Sequence, residues 1–130
     1  MAPGDAPPLP PSAMRVALTV SSRATVPCVL KRHLSPATVG LIARSLPLSG
    51  NAHRLGGMVY VRTGLSSGVQ RRRTAFRRGD VAFWPQGGCV CFVVADMEAG
   101  HAMDLIGAMD PYAGELDSAG AGDVLALAAA

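Results

Sequence analysis

The stretch Gly79-Asp80-Val81-Ala82-Phe83-Trp84-Pro85-Gln86-Gly87-Gly88, continued by Cys89-Val90-Cys91-Phe92-Val93-Val94-Ala95, sets the architecture of this chain. Gly79-Asp80 is a turn signal, with Asp80 placed to bind neighbouring backbone amides. A short strand follows, on which Phe83 and Trp84 must point to opposite faces. Gln86-Gly87-Gly88 reverses the chain. Residues 89–95 are then apolar at successive positions, the pattern of a central strand covered on both sides. Cys89 and Cys91 share a face of that strand and read as small buried hydrophobes.

Working outward, the same periodicity recurs in short pieces. Met14–Ser21 alternates, with Val16, Leu18 and Val20 on one face. Ala24–Leu30 is a second strand, and Pro27 within it predicts an edge position. Ser35 as N-cap, Pro36 at N1 and the recurrence Val39, Ile42, Leu46 predict a helix that Pro47 stops. Residues 48–57 are expected to be a loop, 58–62 a strand, 69–76 an extended segment, and 103–109 and 123–128 further strands. A short helical turn is expected at Asp110-Pro111. Seven or so short strands with one dependable helix favour an all-β domain, a small barrel or sandwich, over alternating βαβ units.

Composition narrows the function classes. The 130 residues carry a formal charge of +3, unevenly spread. Residues 1–78 hold all twelve Arg and Lys against Asp5 alone, and residues 79–130 hold eight acids and no Arg or Lys. An apolar share of 49% argues against a wholly disordered chain. No apolar run approaches the ~18 residues of a spanning helix, so no membrane partner is expected. Residues 1–13 contain five prolines and read as a disordered Pro-rich tail without the features of a secretory signal, so a cytoplasmic location is expected. Three cysteines, an odd number, argue against a disulfide framework. His33, His53 and His101 lack metal-ligand spacing, and neither Gly56-Gly57 nor Gly87-Gly88 is followed by the helix and lysine of a phosphate loop. Neither a metal nor a cofactor is expected.

The segment 79–87 resembles the G-D-x-x-Y/F-W-P-x-G signature of the prokaryotic cyclophilin-like family, small β-barrel proteins that are mostly uncharacterised. The resemblance runs in order through Met14-Arg15-Val16, Leu46-Pro47, Gly56, Tyr60 and Leu105-Ile106-Gly107, covering about residues 14–128. It implies a cyclophilin-like closed or nearly closed barrel over residues 14–130, with a helix over one end. The chain departs from the family pattern at Leu55, where a Trp is usual, at Gly57-Met58, where acids are usual, and at Val93–Glu98. These departures fall in loops that could line a pocket.

Three functions follow as expectations. The first is binding of a peptide or small molecule in a rim pocket near Tyr60, Phe83, Trp84 and Gln86. The second is peptidyl-prolyl cis/trans isomerisation. His53-Arg54-Leu55 resembles the H-R-I segment of true cyclophilins, in which an arginine beside an apolar pocket weakens amide resonance and lowers a barrier of ~20 kcal/mol. Arg54 is the catalytic candidate, although Val59, Tyr60 and Arg62 stand where Phe, Met and Gln would be expected. The third is a polyanion contact through Arg71, Arg72, Arg73, Arg77 and Arg78, with Phe76 among them as a base-stacking ring. The acidic second half argues against nucleic acid, unless the charges separate in space. Association of subunits into a homo-oligomer would bring acidic and basic stretches together as well as folding does.

Overall fold

The two-faced strand of the sequence is the centre of the molecule. In the computed structural model, which describes residues 12–67 and 72–130, the elements run β1 (Ala13–Val20), β2 (Ala24–Lys31), α1 (Pro36–Ser45), β3 (Leu48–Leu55), β4 (Met58–Arg62), β5 (Arg72–Phe76), β6 (Asp80–Trp84), β7 (Cys89–Val93), β8 (Met97–Met109) and β9 (Val124–Ala129). All five β7 residues are buried. Val90 and Phe92 face one core, and Cys89, Cys91 and Val93 face another.

The strands pair antiparallel in the order β2-β1-β9-β3-β4-β7-β6-β8-β5, and β2 also pairs with β8. Eight strands therefore form a nearly closed ring, with β5 outside it. The inner core is filled by alternate residues: Val16, Leu18 and Val20 of β1, Val81 and Phe83 of β6, and Ile106 of β8. Helix α1 inserts Val39 and Ile42 into this core. The seam between β2 and β8 needs Gly107. A β-carbon there would lie 2.1 Å from the Val29 carbonyl oxygen.

The second cluster lies on the outer face of β4, β7 and β6. Met58, Ala82, Cys89, Cys91 and Val93 are covered there by Phe76 of β5 and Met103 of β8. The cover depends on a break in register. Arg73 pairs with Met103, but Ala75, two residues on, pairs with Glu98. Residues 99–102 thus bulge from β8 opposite Thr74, letting its first half run with β5. Bulges of this kind bend a strand and re-aim its side chains.

Several expectations need correction. The expected loop at 48–57 is strand β3 as far as Leu55, because β9 and β4 pair with it on either side; pairing partners outweigh the weak local propensity of Ser49-Gly50-Asn51. Strand β2 is not an edge. It pairs with β1 along its length and with β8 at Cys28–Leu30, and Pro27 lies one residue before that second ladder begins. Ser35 occupies the N-cap position, but its hydroxyl donates to the Leu105 carbonyl at 3.2 Å rather than capping the helix. Strand β8 begins at Met97 rather than 103. No helical turn forms at Asp110-Pro111. Residues 110–123 are a series of turns that carry Leu116 and Ala119 into the inner core. Residues 1–11 of the Pro-rich segment lie outside the described residues, and Ala13 already belongs to β1.

Candidate functional site

On the outer face, side chains from four strands form a row of rings. The His53 ring of β3 stacks on the Tyr60 ring of β4, with centroids 5.2 Å apart. Tyr60 meets the Trp84 indole of β6 edge-on at 6.0 Å. Trp84 in turn stacks on His101 of β8 at 4.7 Å and 17°. The ladder explains the order: Tyr60 lies opposite Cys91 and Trp84 opposite Cys89, so small thiols on β7 leave room for the rings on either side. His101 belongs to the β8 bulge, which brings it to the indole.

Beside this row is a groove of about 340 Å³, between the β3–β4 turn and the bulged half of β8. Leu55, Gly56, Gly57 and Met58 form one wall, and residues from Met97 to Met103 form the other. Leu55 is exposed at its mouth, at 51%. Gly57 lets the walls approach, since a β-carbon there would lie 2.9 Å from the Ala95 carbonyl oxygen. The Trp84 Nε1 hydrogen is buried beneath the row and has no acceptor.

The residues singled out from the sequence are placed as follows. Tyr60 and Trp84 are brought together. Phe83 lies on the opposite face of β6, fully buried in the inner core, because adjacent strand residues face opposite ways. Gln86 is exposed in the turn after Trp84. Arg54 is not beside Trp84. It follows His53 on β3 and projects to the other face, where its Nη1 donates to the carbonyls of Asp117 and Ala119 at 2.8 and 3.1 Å.

The arginine cluster is divided. Arg71 lies outside the described residues, and Arg72 is placed in β5 opposite Asp104. Arg73 is exposed; its guanidinium lies 5.6 Å from the Phe76 ring centre and donates to the Ala75 carbonyl. Phe76 is itself buried, 2% exposed, so it is no stacking platform. The backbone amide of Arg77 donates to the Asp80 carboxylate at 2.8 Å, as expected of that turn. Arg78 holds the 110–123 segment. It donates to both oxygens of Asp117 at 2.9 and 3.2 Å, to the Val94 carbonyl at 2.6 Å, and covers the Tyr112 ring at 4.7 Å. The Arg78 guanidinium and the Tyr112 hydroxyl hold the Asp117 carboxyl below the usual carboxylate range. Burial and that carboxylate push the Tyr112 phenol upward.

The thiols are unreactive by position. Burial pushes Cys28 up to about 12 and raises Cys91 further, and it raises Cys89 against the opposing charge of Arg62. Among the described residues no group of three His, Cys, Asp or Glu side chains is placed to hold a metal ion.

Sequence reasoning missed His53, His101 and the methionines of the groove. His101 was noted only as lacking metal-ligand spacing, and no local pattern announces the bulge that carries it. Of the nine positions that depart from the family pattern, Leu55, Gly57, Met58, Met97 and Glu98 line the groove and 93–96 do not.

A nearly closed eight-stranded ring with one inserted helix and a strand–turn–strand at 79–93 is the arrangement of the cyclophilin-like class. The family model described as cyclophilin-like matches residues 14–108, and the chain belongs to that family. It is similar to a hypothetical protein of Archaeoglobus fulgidus known from a solution structure. The TM-score is 0.77 at 24% identity, over 92% of this chain and 96% of that one. That likeness is one of fold. Among curated proteins none matches this chain. No helix among the described residues is long and apolar enough to cross a membrane.

Proposed function

We propose that this cyclophilin-like domain binds a small apolar molecule in the groove between the β3–β4 turn and the β8 bulge. The observation that carries the reading is the junction of that groove with the Trp84–His101 stack. A concave, mainly apolar surface of about 340 Å³ meets aromatic rings and a few polar groups, the composition typical of ligand sites. Leu55 and Met97 supply adaptable apolar contact, and His101 and Glu98 supply polarity at the rim. The site stands a short way from the rim pocket expected around Tyr60 and Trp84, and it is drawn from the outer face rather than the ring interior.

Isomerase chemistry gains no support from Arg54, whose guanidinium is spent on two loop carbonyls away from the groove. A polyanion site gains none from Phe76 or Arg78, one buried and the other committed to Asp117.

Screening apolar and aromatic fragments against the labelled domain by amide chemical shifts tests the proposal. Shifts should concentrate at residues 55–58 and 97–103, with a change in Trp84 emission. Gly100 has open space beside it, so Gly100→Phe should fill the groove and abolish both signals. Fragments that shift other regions only, or that bind the Gly100→Phe variant unchanged, would end this reading.

A further inference from the structure

Three of the chain's six methionines, Met58, Met97 and Met103, line the same groove as His101. Cys89 and Cys91 belong to the cluster beneath. Simple core filling accounts for the complete burial of Met103 and the near-complete burial of Met58. Met97 packs on the same cluster from a half-buried position, and core filling does not account for an imidazole brought to that wall by a four-residue bulge. Nor does it explain why His101 is held flat on the indole of Trp84.

What this donor set selects follows from its chemistry. Thioethers are soft, uncharged donors at every pH, and an imidazole nitrogen is of intermediate softness. A hard cation such as Mg²⁺ or Ca²⁺ demands several oxygen ligands, and Glu98 is the one carboxylate in the lining. Zn²⁺ takes three or four thiolate, imidazole or carboxylate ligands, and the described residues offer no such group. Soft sulfur ligands select Cu(I). A monovalent ion also loses less hydration on entering an apolar groove than a divalent one.

We infer that the groove binds one Cu(I) ion through His101 and the thioethers of Met97 and one or both of Met58 and Met103. Trp84 is a positioning residue in this site: it fixes the plane of the His101 ring and supplies no ligand atom itself. The inference goes beyond the organic-ligand reading and does not rest on it, since each occupant uses different atoms of the same walls.

The test is anaerobic titration of the full chain with Cu(I) against a chromogenic Cu(I) chelator, and with Ag(I) as an air-stable ion of similar softness, reading Trp84 emission. One equivalent should bind, with a saturable change in emission. Met97→Leu keeps the apolar volume and removes the sulfur, and His101→Ala alters an exposed side chain, so both should fold as the parent does by circular dichroism. Each should weaken binding at least tenfold, while Cys89→Ala/Cys91→Ala retains it. Failure to compete with the chelator would overturn the inference. So would binding lost only with the cysteine pair, or binding unchanged in both Met97→Leu and His101→Ala. Fragment binding that survives Met97→Leu while metal binding is lost would support both occupants separately. Fragment binding without metal binding would leave only the organic one.

Discussion

Replacing Gly107 by alanine strikes the seam that closes the ring. The added β-carbon would lie 2.1 Å from the Val29 carbonyl oxygen, 2.9 Å from the Leu30 Cα and 3.0 Å from the Val29 carbonyl carbon. All three obstacles are backbone atoms, so no rotamer change relieves them, and relief takes a strand shift of roughly 1 Å to restore ordinary contact. Strand β2 is held on its other side by eight register pairs with β1, so the movement falls on the three pairs with β8, Cys28↔Met109, Val29↔Ala108 and Leu30↔Gly107. Overpacking costs about 1–3 kcal/mol, and each ladder bond weakened adds about 0.5–1.5 kcal/mol. Alanine's smaller unfolded-state entropy returns about 0.4–1 kcal/mol. The expected net loss is about 3 kcal/mol, or roughly 12 °C in Tm for a domain of this size. Gly100→Ala is the matched control: nothing lies within 4 Å of its added carbon, and its Tm should stay close to the parent's. Thermal melts followed by far-UV circular dichroism decide the matter. A Gly107→Ala variant melting within about 2 °C of the parent, or alongside Gly100→Ala, would refute closure through this seam.

Three further outcomes follow from the same structure. A thiol reagent at pH 8 should leave all three cysteines unmodified in the native protein and modify three after denaturation, since each is buried and shifted upward; rapid native labelling would contradict that burial. The Asp123 carboxyl is held below its ordinary range by Arg23, the Gly120 amide and the Ser21 hydroxyl, so its ionised form favours the folded state. That contribution is complete above about pH 5 and fades as the pH falls through the ordinary carboxylate range near 4. The Tm of Asp123→Asn should therefore lie furthest below the parent's near neutrality and approach it in acid, and a constant difference across pH 3–7 would count against the assignment. Tyr112→Phe removes the hydroxyl that donates to Asp117 and accepts from the Leu116 amide. Amide exchange should accelerate at residues 112–119, with little change in β7.

How much of this was legible in the sequence depends on where the determining contacts lie. Strand β7 was readable because burial on both faces writes itself into consecutive residues, and α1 because Ser35, Pro36 and Pro47 act through their own backbone. Strand β3 was not. Ser49-Gly50-Asn51 has weak strand propensity, and it is extended because Val124, Leu125 and Ala126, some seventy-five residues later in the chain, supply a partner. The candidate site shows the same division. Tyr60 and Trp84 were found because they fall on the pattern by which the sequence resembles its family. His101 was not, because its position is set by a register slip between β5 and β8, which no local pattern encodes.

The charge division has a structural answer of the same long-range kind. The ion pairs Arg23–Asp123 and Arg78–Asp117 each join the basic first part of the chain to the acidic last part. Arg54 reaches the same segment through the Asp117 and Ala119 carbonyls. The segment 110–123 carries Leu116 and Ala119 into the inner core, and arginines of the other half hold it there. Strand β5, on which Arg73 is exposed, pairs with β8 alone among the described strands. A strand with one open edge invites pairing with a second molecule, and charged side chains along it oppose that. Arg73 bends back to bond the Ala75 carbonyl of its own strand. Folding thus turns a sequence divided by sign into a ring stitched by opposite charges, and Arg73 guards the strand that the ring leaves outside.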